Sequence, residues 1–428
     1  MSFPNRAALE AEQLKQLNTL LAALVPSNAF YAPKLEAADL AQGVGSLAEF
    51  FAKLPLTTKQ QIVDDQREYA PYGTNLTYPI EYYTRFCQTS GTSGFTLRWL
   101  DTTDSWEWMV ENWMEVFRAA EVSARDRLFY AFSFGPFLGF WTAFAAGERL
   151  GCLCLPGGGM SSAARLKTIL DNCVTTLCCT PTYAIRLGEV AQEEGIDLAT
   201  SAVRRIIVAG EPGAGIPATR ARIEQLWPGA RLWDHHGMTE TGPVSFECPV
   251  RPGVLHVLES RFIAEVLDPE TLQPTLPGER GELVLTNLGR MGSPLLRYRT
   301  GDLVQPSTNT ICACGRSDLV LEGGILGRTD DMLVVRGVNL YPSAVEAVLR
   351  RFAEMGEYRV TLSTVNALRE ALVELEALPT CPDPEALRLA AESALRTTFH
   401  LRIPLVLVAF GTLPRSEMKA QRWVRTET

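Results

Sequence analysis

The stretch RLWDHHGMTETGP, Arg231–Pro243, changes character partway along. Arg231–Trp233 reads as a buried strand, and Asp234 to Pro243 is a turn crowded with groups that donate, accept or ionise. The chain on either side follows two different rules. Upstream, apolar runs at Leu128–Phe134, Gly151–Leu155, Thr175–Cys179 and Arg204–Ala209 alternate with helical patterns at Pro136–Leu150, Ser161–Asn172, Pro181–Glu194 and Ile216–Leu226. That alternation predicts a largely parallel α/β core with helices on its faces. Downstream of Met238, short strand patterns at Leu255–Glu259, Phe262–Leu267, Glu282–Thr286 and Leu295–Tyr298 are cut by turns such as Leu276-Pro277-Gly278. They predict a β-rich subdomain over about 238–328.

Two outer regions complete the chain. Leucines at helical spacing make Ala7–Ala23 an amphipathic helix. Past Asp330 come a helix at Pro342–Glu354, strands at Tyr358–Ser363 and Glu370–Leu375, a helix at Pro384–Thr398 and a strand at Pro404–Phe410. The expected fold class is therefore α/β: a large N-terminal domain over 1–329 and a small α+β domain over 330–428, with the boundary at Thr329–Asp330.

Composition excludes several classes of function. The 428 residues carry a net charge of −9, so there is no basic excess with which to neutralise nucleic-acid phosphates. No apolar run reaches membrane-spanning length, and Met1–Glu10 lacks a basic-then-apolar leader pattern. Ten cysteines without such a leader point to reduced thiols in the cytoplasm, with a metal site among them, rather than to a disulfide frame.

A second polar turn, Thr89-Ser90-Gly91-Thr92-Ser93-Gly94, lies between strand-like Tyr82–Cys87 and Leu97–Leu100. Hydroxyls and successive backbone N–H groups in such a turn can hold phosphate. It lacks the Gly-Lys-Ser/Thr ending of the large NTPase class, and nothing near Ala209-Gly210-Glu211-Pro212 completes a GxGxxG dinucleotide fingerprint. Alone, the turn is equally consistent with a flexible surface loop. Its company is more specific: Asp234–Pro243, then Leu296-Arg297-Tyr298-Arg299-Thr300-Gly301-Asp302-Leu303. Next come Gly327-Arg328-Thr329-Asp330-Asp331 with Arg336-Gly337-Val338-Asn339, and finally Leu413-Pro414-Arg415-Ser416-Glu417-Met418-Lys419.

In this order, over more than three quarters of the chain, these segments resemble the adenylate-forming superfamily of acyl-CoA synthetases, adenylation domains and luciferases. Arg336–Pro342 and Cys314-Gly315-Arg316 look most like its phenylacetate-CoA ligase branch. The resemblance implies ATP-dependent activation of an aromatic carboxylic acid as acyl-AMP, followed by transfer to coenzyme A. A carrier protein or an amine is the alternative acceptor, and a non-catalytic nucleotide-binding protein the alternative class.

By the same resemblance, Thr89–Gly94 holds the ATP β- and γ-phosphates, Glu240 binds Mg2+ and Asp302 accepts the ribose hydroxyls with help from Arg328. Gly210, Glu211 and Pro212 lie against adenine, and Asp234, His235, Met238 and Thr239 belong to the same nucleotide site. His236 goes with the acyl substrate, Asp330 is the hinge of a mobile small domain, and Arg336 with Gly337 serves the CoA channel. Lys419 supplies the ammonium for adenylation, where negative charge gathers between carboxylate and α-phosphate. One departure stands out: Phe95 and Thr96 occupy the place of a usual Lys-Pro pair, with Arg98 as the nearest replacement.

Cys248, His256, Cys312 and Cys314 offer four soft or borderline ligands. The spacing is not that of a standard finger, but some relatives carry such a set, which implies a closed structural Zn2+ site. Tyr130, Phe132 and Phe134, around Gly135 at the end of a strand pattern, suggest a pocket for a flat aryl acid, because open α/β sheets bind ligands beyond the carboxyl ends of their strands. The same rings would serve equally as core. Expected partners are the aryl acid, ATP and CoA, without nucleic acid or membrane; a homodimer is left open.

Overall fold

The computed structural model describes residues 5–89, 95–329, 333–336, 338–365, 368–415 and 421–425. Five parallel strands lie in the order Leu153–Pro156, Arg127–Tyr130, Thr176–Cys179, Arg205–Val208 and Arg231–Asp234. The third is buried along its whole length, as a strand covered by helices on both faces must be. Trp141–Leu150, Ser162–Asp171, Pro181–Glu193 and Pro217–Leu226 connect and cover them. Two apolar clusters flank the sheet, one around Trp113, Phe117 and Leu128, the other around Leu177, Tyr183 and Trp227.

The β-rich region is two sheets, not one. Phe262–Leu267, Gly281–Asn287, Tyr298–Val304 and Gly327–Arg328 form an antiparallel sheet in that order. Ser245–Glu247, Leu255–Val257 and Val320–Leu321 form the other. Four helices, from Arg6–Leu24 to Lys59–Glu68, pack a separate apolar cluster against the first of these sheets through Tyr298. Tyr83–Gln88 and Arg98–Thr102 pair as an antiparallel hairpin. In the C-terminal domain, Leu405–Val408, Leu368–Ala377, Met355–Val365 and Trp423–Arg425 make a mixed sheet covered by Pro342–Leu349 and Pro384–Phe399, with its own core. Among the described residues, no helix is long and apolar enough to cross a membrane.

Several element limits differ from the sequence expectation, each for a local reason. The helix expected from Pro136 begins at Trp141, because Phe132–Phe140 is held as a loop with Phe134 and Gly139 at positive φ. The helix expected to reach Glu354 ends at Leu349. Leu295–Tyr298 is not a strand. Leu295 and Leu296 are buried, but Arg297 has φ 45°, and the strand starts only at Tyr298. A positive φ is costly for arginine. Its guanidinium is fully engaged, with Glu265 at 2.8 and 3.0 Å and with the carbonyls of Phe51 and Leu54 at 2.5 and 2.6 Å.

Candidate functional site

The turn after Asp234 is shaped by a two-residue hairpin, Gly237–Met238 against Gly242–Pro243, with Thr239, Glu240 and Thr241 at its tip. A Cβ on Gly237 would stand 2.8 Å from the Gly242 carbonyl, and Gly242 has φ 83°. Only glycine suits either place. The tip projects Glu240, whose carboxylate is buried (6% exposed) 3.4 Å from the Lys59 ammonium.

Beside it, Asp302 lies in register with Arg328 on neighbouring strands. Its carboxylate accepts from His236 Nε2 at 2.8 Å and from Arg328 at 3.1 Å. Burial pushes the Asp302 carboxyl up, but His236 and Arg328 outweigh it and leave the carboxyl below its ordinary value. Because Nε2 is committed to Asp302, Nδ1 is the remaining polar atom of His236. It is buried without a partner among the described residues.

His235 faces the other way. Its Nδ1 lies 2.6 Å from the Ser245 carbonyl and its ring 4.2 Å from that of Trp113. Burial lowers its pKa to about 3, so it is a neutral donor locked into the core. Asp234 donates its backbone N–H to Glu247 at 2.8 Å, and Glu247 also accepts from Arg220. Burial raises both carboxyls, Asp234 to about 6 and Glu247 to about 7, against the pull of Arg220. Gly210 sits at φ 97°, and Pro212 is exposed. Glu211 accepts from the Thr182 N–H at 2.8 Å at the start of the Pro181–Glu193 helix; a carboxylate there suits the helix dipole.

The rings of Phe132, Phe134, Phe140, Phe144 and Trp141 meet edge to face at 4.8–5.8 Å, a favourable geometry for aromatic pairs. Tyr130 lies under them, fully buried, its hydroxyl donating to the Ala143 carbonyl at 2.9 Å. It therefore supports the aromatic wall and does not line a pocket as expected from sequence. Phe134 has φ 45°, and the carbonyl of neighbouring Gly135 accepts the Trp141 indole N–H at 3.0 Å.

Of the phosphate turn, only Thr89 is described. Its N–H donates to the Leu97 carbonyl and its hydroxyl accepts the Leu97 N–H, both at 3.0 Å. Thr89 thus closes the neck of the loop, and because its hydroxyl oxygen accepts there, its O–H remains a donor. Ser90, Gly91, Thr92, Ser93 and Gly94 lie outside the described residues, as do Asp330, Gly337 and Lys419. Arg98 does not replace the missing lysine either, because its guanidinium donates to the Pro71 carbonyl at 3.0 Å. Instead the Arg67 guanidinium lies 5.0 Å from the centre of the Phe95 ring. Arg336 is paired with Glu370 at 2.5 Å in the small domain.

The four residues proposed as metal ligands do come together. Ligand atoms of Cys248, His256, Cys312 and Cys314 all lie within 4.8 Å of one another. Cys248 and Cys312 Sγ are 3.7 Å apart, and Cys314 Sγ is 3.4 Å from His256 Nε2. Tetrahedral zinc with ordinary bond lengths needs S–S and S–N separations of about 3.8 and 3.5 Å, which these two pairs match; the widest spread of the set, up to 4.8 Å, would have to draw in. The His256 ring is stacked on Phe246, which fixes its orientation.

Three comparisons with known proteins place the chain in a family. Residues 86–292 match the AMP-binding enzyme model, and residues 337–426 match the AMP-binding enzyme C-terminal domain. The phenylacetate-coenzyme A ligase of Thermus thermophilus is 33% identical over 373 residues, which cover 86% of this chain and 81% of that one. The Escherichia coli enzyme of the same name is 29% identical over 432 residues, 97% and 94% of the two chains. A 2-hydroxyisobutyryl-CoA ligase solved with an acyl-adenylate in its postadenylation state superposes with a TM-score of 0.92 at 26% identity, covering 99% of this chain and 91% of that one. In its thioesterification state, with CoA, the TM-score is 0.74 at 27% identity and the same coverage. The fold and site thus define an AMP-forming acid–CoA ligase that uses ATP. Within that class the chain belongs to the phenylacetate-CoA ligase family.

Two residues at this site were not singled out from the sequence. Lys59 opens the Lys59–Glu68 helix behind a Thr58/Gln61 capping box, so the sequence signal there is of a helix start alone. Arg290 stands between two strand patterns in the Gly/Ser/Pro-containing stretch Asn287–Pro294, where nothing local marks an arginine as buried.

The Asp302 pair has a pH signature. A carboxyl held below its ordinary value contributes stability above the unfolded pKa of about 4 and loses it as pH falls through the lower folded value. Asp302→Asn should cost about 1–3 kcal/mol at pH 7, and the gap to the parent protein should close as pH drops below about 4. Urea unfolding across that range measures it; a gap that does not change with pH would show that the charge is not what the pair uses.

Proposed function

We propose that the acid is a small aromatic carboxylate. The observation that carries this reading is the aromatic wall beyond the carboxyl end of the Arg127–Tyr130 strand, on the same edge of the sheet as the Asp234–Pro243 turn. Flat rings favour a flat ligand by edge and face contacts. The structural likeness to a 2-hydroxyisobutyryl-CoA ligase favours a second reading, a small branched aliphatic hydroxy acid.

In the first step a carboxylate oxygen of the acid attacks the ATP α-phosphorus, the bond to the β-phosphate oxygen breaks and pyrophosphate leaves. In the second the CoA thiolate attacks the acyl carbonyl and AMP leaves. Asp302 takes the ribose hydroxyls on its free lone pairs, oriented by His236 and Arg328. The Ser90–Gly94 loop takes the phosphates through N–H groups and hydroxyls, and Glu240 would hold Mg2+, a buried oxygen ligand of the kind a hard cation needs. That ion would supply positive charge to the phosphates. Lys59 neutralises Glu240 when the ion is away, and Lys419 adds its ammonium to the charge developing at the α-phosphate.

The described residues flanking Lys419 are anchored: Arg415 on Glu376 at 2.5 Å and Arg422 on Glu357 at 2.7 Å. Arg422 also acts electrostatically on Glu211 of the large domain. With the better superposition on the postadenylation state, this supports a small domain, hinged at Asp330, docked as for the first half-reaction. Lys419→Ala should therefore lower acid-dependent exchange of labelled pyrophosphate into ATP by orders of magnitude, while thioester formation from supplied acyl-AMP survives. An equal loss of both half-reactions in a folded variant would count against the assignment. The same exchange assay over a panel of aryl and short hydroxy acids tests the substrate: aryl acids in front sustain the main reading, hydroxy acids in front replace it.

Cys248, His256, Cys312 and Cys314 would hold structural Zn2+, a closed site with no open coordination position for chemistry. Elemental analysis should find one zinc per chain, and Cys312→Ser should lower the melting temperature before it changes turnover, since metal binding is linked to folding. A metal-free chain with an unchanged melting temperature would remove the site.

A further inference from the structure

One buried guanidinium joins the phosphate hairpin to the Glu240 turn. Arg290 and Asp101 are both completely inaccessible, and they pair fork to fork, Nε to Oδ1 and Nη2 to Oδ2, each at 2.6 Å. Asp101 belongs to Arg98–Thr102, the return strand of the hairpin whose turn is the phosphate loop. The remaining nitrogen, Nη1, donates to the carbonyls of Thr239 and Glu240 at 2.7 and 2.8 Å. The next carbonyl, Thr241, accepts from Asn287 at 3.1 Å. Three successive peptide carbonyls of the Glu240 turn are thus held by side chains of one segment, Asn287–Arg290.

We propose that Arg290 is a positioning residue for adenylation: it fixes the Glu240 turn against the Arg98–Thr102 strand by binding Asp101 and the Glu240 backbone at once. This rests on the reading of Glu240 as the magnesium ligand. A rigid five-donor fork is what such a double task requires. Lysine, a point charge with three donors on a flexible stem, cannot keep two parallel bonds to Asp101 and two carbonyls together. The carbonyl contacts also satisfy donors that Asp101 cannot reach, but for stability alone a buried pair can be replaced by apolar residues at little cost. The two roles can therefore be separated.

The test compares Arg290→Lys, Arg290→Met and the double variant Arg290→Met/Asp101→Leu with the parent chain. ATP affinity is measured by calorimetry with magnesium and in EDTA, and melting temperature alongside. Arg290→Met leaves Asp101 buried and unpaired, so its melting temperature should fall, and the double variant should regain much of that loss. The tightening of ATP binding by magnesium should nevertheless shrink about tenfold, some 1.4 kcal/mol, in both Arg290→Lys and the double variant. Affinity in EDTA should change little. A double variant with recovered stability and a full magnesium effect would overturn the proposal; if it does not fold, a full magnesium effect in Arg290→Lys does the same. Glu240→Gln separates the two layers. If it too leaves the magnesium effect intact, Glu240 is not the ligand and the proposal falls with that reading. If Glu240→Gln abolishes the effect while the Arg290 variants keep it, only the Arg290 role falls.

Discussion

A guanidinium with no access to water must have its donors matched, because an unpaired buried charge costs several kcal/mol. Arg290 meets that demand with Asp101 and two carbonyls, so three separate pieces of chain have to meet at one point. The neighbouring residues make the same junction by weaker means. Gly292 N–H donates to Ser105 and Ser293 hydroxyl to the Leu100 carbonyl, while the Gly292 carbonyl accepts from Tyr83. The Trp99 ring lies 5.4 Å from the guanidinium carbon. The loop between two strands of the antiparallel sheet thereby acts as the clasp between the Tyr83–Thr102 hairpin, the Glu240 turn and the strand that carries Asp302.

The carboxylates around that clasp are placed for different work by different surroundings. Asp302 has His236 and Arg328 and stays easily ionised; Glu247 has Arg220 and the Asp234 N–H, but the Asp234 carboxylate is beside it and burial prevails. Glu240 is balanced by Lys59, a partner on a long flexible stem. Such a partner can leave when a stronger cation arrives, whereas the fork on Asp101 cannot without orphaning four hydrogen bonds. The site thus combines a fixed frame with one exchangeable counter-charge.

The parallel sheet was legible in the sequence because each buried strand is a short apolar run between helical patterns, and Thr175–Cys179 and Arg204–Ala209 mark theirs to within a residue. The turn at Asp234–Pro243 was legible as a seam, since strand period and composition change there. What could not be read depends on contacts distant in the chain. Arg290 and Asp101 are 189 positions apart, and Lys59 meets Glu240 from a helix whose local signal concerns only its cap. Arg297 in a left-handed conformation broke a run of residues that looks like a strand, because its reward comes from Glu265 and two carbonyls elsewhere. Tyr130 looked like a pocket residue because an aromatic at a strand end can face either side, and only packing tells which. Cys248, His256, Cys312 and Cys314 were legible as a set of candidate ligands, but their approach to within 4.8 Å of one another depends on contacts distant in the chain.

The small domain meets the large one through charge. Among the described residues its apolar core is gathered within the domain itself. Arg350, Arg415 and Arg422 stand with Glu357 around a shared cavity facing Arg186 and Glu189 of the Pro181–Glu193 helix. Burial raises the Glu189 carboxyl, against the pull of Arg415 and Arg350, so this contact holds by partly desolvated charge and carries a desolvation cost of its own. An interface of that kind is specific without being adhesive. That property suits a domain that has to dock and release.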